Sequence, residues 1–427
     1  MSQIFSEHAI RDGITLLHHR SDKWKTDLLK VFFVAPLDAA TPSRSLGSYL
    51  LRHGPQRLGG MSELSRELKE TYGSALTAIA GRSVNNQVIT LRAKTVARRH
   101  LPRRPDTLRR MLGLLDDTLQ QPQFRSAGFS DEAYVLEQQN LIRAIRSQDD
   151  QPSGYASREL MKMLFGDHAL ARRVHGGPQD VAALGVSQVS DDISSLVQAA
   201  PCFIYAITDR SGDDVAELVS EKLSLNARGA LSKSRLRVPL IKKRAKSARE
   251  ARPIAQARIA MGFRIEGYSR RSDRFAAYMG DFILGGGSTS RLFRIVREKH
   301  SLAYSIGSSF DDASGTIYVT AGIEPSSEAR VRRLVQAQVK HMATHDADPE
   351  AMALALTCFR QSLIGFQDSQ DQLIGFDSMQ KLKGLRVRTP DQVMASHRRV
   401  RAADVAGLFG RLKLDSVFTL GPDGGVS

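Results

Sequence analysis

The 427-residue chain contains only two cysteines, Cys202 and Cys358, and a single tryptophan. Two cysteines without CxxC spacing cannot build a disulfide framework or a thiolate zinc site. Both lie in apolar runs, Cys202-Phe203-Ile204-Tyr205 and Leu356-Thr357-Cys358-Phe359, and read as packing residues. No run approaches the ~20 apolar residues of a membrane span. The first twenty residues carry acid and base early and lack the ~7–15 apolar residues of a signal peptide, so a soluble, cytoplasmic chain is expected. Neither GxGxxG nor GxxxxGKS/T occurs, which excludes the phosphate-cradling loops built on those glycines.

What is present is an ordinary globular composition, 41% apolar and 25% charged, enough to bury a core. The length is about three times the ~150 residues usual for one domain, so two or more domains are expected. Lys and Arg number 61 against 45 Asp and Glu, leaving a net charge of +16. Such an excess favours acidic partners, whether nucleic acid, an anionic surface or an acidic peptide, without choosing among them.

Periodicity divides the chain into two halves of one plan. The first has strand-like runs at Thr15–His18 and Leu28–Ala35, helices near Arg44–His53 and Met61–Tyr72, then extended runs Ala75–Ala80 and Gln87–Ala93 joined at Gly81. A helical series over 106–199, broken at Pro122, Pro152 and Pro178, leads to the strand Cys202–Thr208 and the helix Asp213–Leu223. The second half repeats this order: strand Ala257–Phe263, helices Ser272–Leu284 and Ser290–Lys299, extended runs Ala303–Phe310 and Thr316–Ile323 around Gly315. Helices then fill Ser326–Thr344, Pro349–Gln367, Gln370–Lys383 and Pro390–His397 before a last strand, Ser416–Leu420. The expectation is an α+β chain with domains over 1–224 and 254–427, sheet and helices in separate layers. Residues 225–253 between them are rich in Lys and Arg, lack aromatics and read as an exposed basic linker. Without aromatics for base stacking, that stretch argues poorly for nucleic-acid binding.

The most distinctive segment is Ile283-Leu-Gly-Gly-Gly-Ser-Thr-Ser-Arg-Leu-Phe293, followed by Val296-Arg297-Glu298-Lys299 and Leu302-Ala303-Tyr304. Three glycines permit close backbone approach, and Ser288 to Ser290 offer helix caps. Standing alone it would read as a tight turn between helices. Together with the residues that follow, it closely resembles the C-terminal domain of the M16 (pitrilysin-like) zinc metallopeptidases. Phe165-Gly166-Asp167-His168 through Val174-His175-Gly176, with the acidic turn Asp149-Asp150-Gln151-Pro152, is a weaker match to the family's N-terminal domain. The resemblance implies two similar M16-type (LuxS/MPP-like) α/β-roll domains, each an antiparallel-rich sheet with helices packed on one layer.

The family's chemistry uses HxxEH on a helix, two histidines binding Zn²⁺ and a glutamate handling the proton of the attacking water. This sequence has neither HxxEH nor HExxH. Aligned on Leu51-Arg52-His53-Gly54, the motif positions hold Ser45 and Tyr49 for the histidines and Ser48 for the glutamate. The place of the distal glutamate reads Leu141-Ile142-Arg143-Ala144, and Glu137 just upstream is assigned to a solvated face. Neutral hydroxyls are poor zinc ligands, so no metal or other cofactor is expected in this chain. His341-Met-Ala-Thr-His345, with Asp346 and Asp348 nearby, has spacing suited to a divalent ion, but favourable charge at a helix C-terminus is the simpler reading. His18 and His19 point to opposite faces of a strand, and His168 and His175 read as structural.

Arg297 and Tyr304 have the seven-residue spacing of the Arg and Tyr that, in active family members, face the zinc site, bind peptide and stabilise the oxyanion. By residue type alone, a helix-surface arginine and a packed tyrosine are the plainer reading. The resemblance implies a non-catalytic subunit of a heterodimeric peptidase. Arg297 and Tyr304 would act in trans on small or unfolded peptides, and Zn would sit in an HxxEH-containing partner. A peptide would dock by adding to a sheet edge. The alternative is a catalytically inert M16-like scaffold or assembly protein, in which the pair is leftover structure.

Overall fold

The computed structural model describes residues 3–125, 130–231 and 236–422. Part of the basic stretch, residues 232–235, lies outside them. Among the described residues eleven strands form two sheets. The first, in the order β1-β2-β6-β3-β5-β4, uses β1 (Ser6–Arg11), β2 (Ile14–Arg20), β3 (Thr26–Pro36), β4 (Ala75–Ser83), β5 (Asn86–Val96) and β6 (Cys202–Thr208). The second, in the order β7-β11-β8-β10-β9, uses β7 (Lys246–Arg252), β8 (Ala257–Ile265), β9 (Ala303–Asp311), β10 (Thr316–Ile323) and β11 (Leu412–Pro422). Each sheet has one parallel pair, β2 with β6 and β7 with β11, and is otherwise antiparallel.

The chain makes two compact units that are not continuous in sequence. The first comprises 1–146, 172–235 and 369–387; the second comprises 147–171, 236–368 and 388–427. Each unit therefore takes one helical segment from the opposite half of the chain.

Strand β3 shows why the first sheet needs both faces covered. Its run Leu28 to Ala35 is apolar except for Lys30, so side chains of both parities are buried. Leu29, Val31 and Phe33 pack into a core with the helices Thr41–Leu50, Thr107–Gln120, Val186–Ala199 and Gly212–Lys222. Leu28, Phe32 and Val34 face the other way, against Phe5, Tyr205, Leu373 and Ile374. The last two belong to the helix Gln370–Leu382, so a single helix covers the face opposite the helical layer. Polar contacts fix that helix. Asp371 bridges Lys30 at 2.7 Å and Arg92 at 2.9 Å, and the Tyr205 hydroxyl donates to Asp377 Oδ1 at 2.6 Å.

The second unit repeats the arrangement with mostly apolar contacts. Ile259, Met261 and Phe263 join one core. Ala260, Phe418 and Leu420 pack against Leu160, Leu164 and Phe165 of the helix Pro152–Phe165. A Cβ at Gly262 would lie 2.8 Å from both methyls of Leu164, so the helix seats where the strand has no side chain.

Several local expectations change. The reversal between β4 and β5 falls at Val84-Asn85, with Val84 at φ +56°, while Gly81 sits inside β4 opposite Val88. Gly315 does occupy its turn, at φ +67°. The end of the stretch read as a linker is strand β7, paired in parallel with β11; its charged side chains hid it, because an edge strand is held by main-chain hydrogen bonds rather than burial.

Candidate functional site

The positions aligned with the zinc motif lie on the helix Thr41–Leu50, which starts with Pro42 in its first turn. Ser45 and Ser48 are fully buried. Ser45 Oγ donates to the Val174 carbonyl at 2.9 Å and accepts from Gln87 Nε2 at 2.9 Å; His175 Nδ1 is 3.1 Å away. Burial holds the His175 imidazole below its usual pKa, so it is neutral at pH 7 and serves as a hydrogen-bond partner. Gln87 ties this cluster together, donating also to the Thr41 and Val174 carbonyls while its Oε1 accepts from Arg44 at 2.8 Å. Ser48 Oγ turns back to the Ser45 carbonyl at 2.7 Å, and the Tyr49 ring lies under the Arg52 guanidinium at 4.2 Å.

These side chains do not fit a zinc ion. Two are neutral hydroxyls whose hydrogen-bonding capacity is spent within the fold, and the third is a ring stacked on a cation. Glu137 is not on a solvated face: its carboxylate meets His53 Nε2 and Asn140 Nδ2, both at 3.1 Å. Among the described residues no group of three or more His, Cys, Asp or Glu could hold a metal. Gln87, which reaches Ser45 from strand β5, was not foreseen from the sequence.

Arg297 and Tyr304 flank a rigid corner of the second unit. Arg297 is in the π-helical segment Phe293–Lys299, a wound-out geometry that recurs at functional sites. Ser301 closes the corner in the left-handed region, φ +52°, with its amide donating to the Arg297 carbonyl at 3.0 Å. The Leu302 amide reaches the Val296 carbonyl at 3.0 Å, and β9 begins at Ala303. Upstream, Gly285 and Gly286 let the preceding helix close on its surroundings. A Cβ on Gly285 would lie 2.4 Å from the Ser308 amide nitrogen, and one on Gly286 would lie 2.6 Å from Phe282 Cα. Ser290 caps the next turn, its hydroxyl bonded to the Gly287 carbonyl at 2.6 Å.

Both side chains are exposed, Tyr304 at 53%. The Arg297 guanidinium rests on the Phe293 ring at 4.8 Å. The Tyr304 hydroxyl donates to the Glu324 carboxylate, and that bond, with the negative charge behind it, raises the phenol pKa. The phenol is therefore a proton donor throughout the neutral range. Glu324 was not foreseen, since only the pairing of β9 with β10 brings it near.

Among the described residues the other histidines join no group of three or more metal-binding side chains. His341 and His345 stack with ring centroids 4.1 Å apart and planes 15° from parallel. They border a cavity of about 240 Å³ that Arg291, Arg294, Asp346 and Asp348 also line. Burial, then Arg291 and His345, depresses the His341 pKa. His18 is buried against Thr208 and depressed to about 4, mainly by desolvation, while His19 bonds the Ile4 carbonyl from the other face.

Comparison with known proteins gives a consistent set of similarities. The family profile described as the peptidase M16 inactive domain matches residues 193–357. A probable inactive metalloprotease of Bacillus subtilis, YmfF, is 23% identical over 424 residues, 98% of either chain. A conserved protein from Enterococcus faecalis V583 superposes over 100% of both chains with a TM-score of 0.91 at 20% identity. The peptidase M16 inactive domain from Pseudomonas fluorescens covers 99% of both chains, with a TM-score of 0.79 at 18% identity. At those identities the two structures establish the shared fold. Among the described residues no helix is long and apolar enough to cross a membrane.

Proposed function

The chain belongs to the M16 peptidase family as a member without the zinc motif, and from that premise we propose that it is the non-catalytic, substrate-binding subunit of a heterodimeric M16-type metallopeptidase. The observation that carries the reading is a contrast within the chain. Of the positions aligned with the zinc motif, Ser45 and Ser48 are buried and closed by internal hydrogen bonds and half-buried Tyr49 is stacked on Arg52, whereas Arg297 and Tyr304 are exposed on a corner fixed by the main chain.

In this reading an HxxEH-containing partner holds the Zn²⁺. This chain contributes two donors to the peptide: Arg297 by charge, and Tyr304 through its one O–H, which must leave the Glu324 carboxylate to reach a substrate oxygen. Donors aimed at the developing negative charge stabilise an oxyanion. Small or unfolded peptides are the substrates.

A second reading, an inert scaffold or assembly protein, draws on the same corner. The Phe293 ring under Arg297 and the carboxylate of Glu324 on Tyr304 satisfy both side chains within the chain.

The two readings separate when the tagged chain is captured from its native extract and the eluate is assayed on a quenched fluorescent peptide. The proposal expects chelator-sensitive cleavage that accompanies an HxxEH-containing subunit, and none from the zinc-loaded chain alone. An eluate with no such subunit and no chelator-sensitive cleavage leaves the scaffold.

A further inference from the structure

The two sheets correspond strand for strand until the outer edge. Strand β2 runs parallel to β6, which pairs antiparallel with β3. Likewise β7 runs parallel to β11, which pairs antiparallel with β8. So β7 stands in the second sheet where β2 stands in the first. In the first sheet β1 then adds antiparallel to β2, from Ser6 opposite His18 to Arg11 opposite Ile14. Among the described residues β7 has no such neighbour, and it ends its sheet. Its first four residues, Lys246 to Arg249, are exposed on both faces.

We propose that the free edge of β7 is a docking site for an extended acidic segment of another protein, which adds antiparallel as β1 does to β2. The strand is held ready as a template. On one face Arg332 donates to Ser247 Oγ at 2.8 Å and Arg249 pairs with Glu328 at 2.5 Å. On the other, the Tyr155 hydroxyl donates to Glu250 at 2.7 Å, and the Arg252 guanidinium lies 3.5 Å from the centre of the Tyr155 ring.

Charge selects the occupant. Arg249 is engaged by Glu328, and Arg252 by Glu250 at 2.8 Å. Lys243, Arg244 and Lys246 are exposed at the start of the strand. An antiparallel segment brings its C-terminal half beside that end, so the acidic residues belong there. A second copy of this chain is a poor occupant. Antiparallel pairing of two β7 strands about Arg249 sets Arg249 opposite Arg249 and Lys246 opposite Arg252, and like charges directly opposed destabilise a sheet. The net charge of +16 opposes self-association as well. Main-chain bonds to the edge would supply affinity, and the basic cluster would supply direction and charge preference.

The test uses the full chain and a fluorescein-labelled peptide of about eight residues that alternates Thr and Val, with three Glu in its C-terminal half. Controls are the Lys-for-Glu peptide and a peptide of matched charge interrupted by two prolines, which cannot pair as a strand. Fluorescence anisotropy follows binding, and amide hydrogen exchange locates it. The expected result is saturable binding of the acidic peptide alone, with slowed exchange across 246–252. Substitution Lys243→Glu/Arg244→Glu/Lys246→Glu should weaken it by about tenfold or more, as loss of charge complementarity does, while Lys69→Glu, an equally exposed lysine on the helix Met61–Glu70, leaves it unchanged. Equal binding of the proline peptide, protection elsewhere, no binding, or protection of β7 by self-association would each overturn the proposal. Because Arg297 and Tyr304 play no part in it, its failure leaves the peptidase reading standing.

Discussion

One buried carboxyl from each unit shows a contrast: in the first unit Asp27 has no hydrogen-bond partner. Asp27 on β3 is 2% exposed, and neither carboxylate oxygen accepts a hydrogen bond. In the second unit the buried charge is compensated: Asp415 on β11 is fully buried, with Lys242 Nζ at 2.7 Å, Arg264 at 3.6 Å and Ser416 Oγ at 2.8 Å. The same strand connectivity thus accommodates two electrostatic solutions. Asp27 is tolerated because it can keep its proton: desolvation, then Asp209, pushes its pKa up to about 7, against the pull of Arg210 and Arg99. The Asp415 cluster is tolerated because the buried carboxylate faces two cations.

The comparison breaks most visibly at Asp415. Substitution Asp415→Asn leaves Arg264 and Lys242 facing a neutral group and should cost about 3–5 kcal/mol, measured by urea unfolding at pH 7. Asp27→Asn should do the reverse. A folded pKa raised above the unfolded value of about 4 means that the native state binds the extra proton, so stability falls as pH rises from about 4 to about 7. The amide removes that loss, so the variant should gain on the order of 2–4 kcal/mol at pH 8 and little at pH 4. Unfolding curves at the two pH values check the sign.

A smaller effect sharpens the contrast between the two covering helices. In the first unit Asp371 ties its helix to Arg92 and Lys30. Hydrogen bonds from Arg92, opposed by desolvation and reinforced by Lys30, hold its carboxyl well below the usual carboxylate range. The stabilisation is therefore present above pH about 4 and lost as pH falls through the folded value. The carboxylate is 39% exposed, so screening limits Asp371→Asn to about 1 kcal/mol at pH 7. In the second unit the covering helix rests mainly on Leu160 and Leu164, with the Tyr155–Glu250 bond as its carboxylate contact.

Elements whose own residues carry the burial pattern were legible in the sequence. Cys202–Thr208 is a strand with matching ends because every one of its side chains is buried. Strands β1 and β7 escaped notice: Ser-Glu-His-Ala-Ile-Arg and Lys-Ser-Ala-Arg-Glu-Ala-Arg carry little apolar signal, and edge position alone makes them strands. The exchange of 147–171 and 369–387 between halves was equally hidden, since local periodicity marks a helix as amphipathic but not the sheet it covers. At the candidate site the substitutions at Ser45, Ser48 and Tyr49 and the spacing of Arg297 and Tyr304 stood in the sequence. Gln87, Glu324 and the His53–Glu137 contact did not, because strand pairing and tertiary packing bring those partners together.

The most direct test of the donor-lending role is the steady-state turnover of a quenched peptide by the captured complex, with Arg297→Ala or Tyr304→Phe in this chain. Both side chains are exposed, so the stability of the chain and the amount of partner captured should not change. The account predicts that turnover falls by about 10²-fold, the usual consequence of removing an oxyanion donor, with the complex intact. Unchanged turnover from an intact complex would contradict it and leave this chain a scaffold.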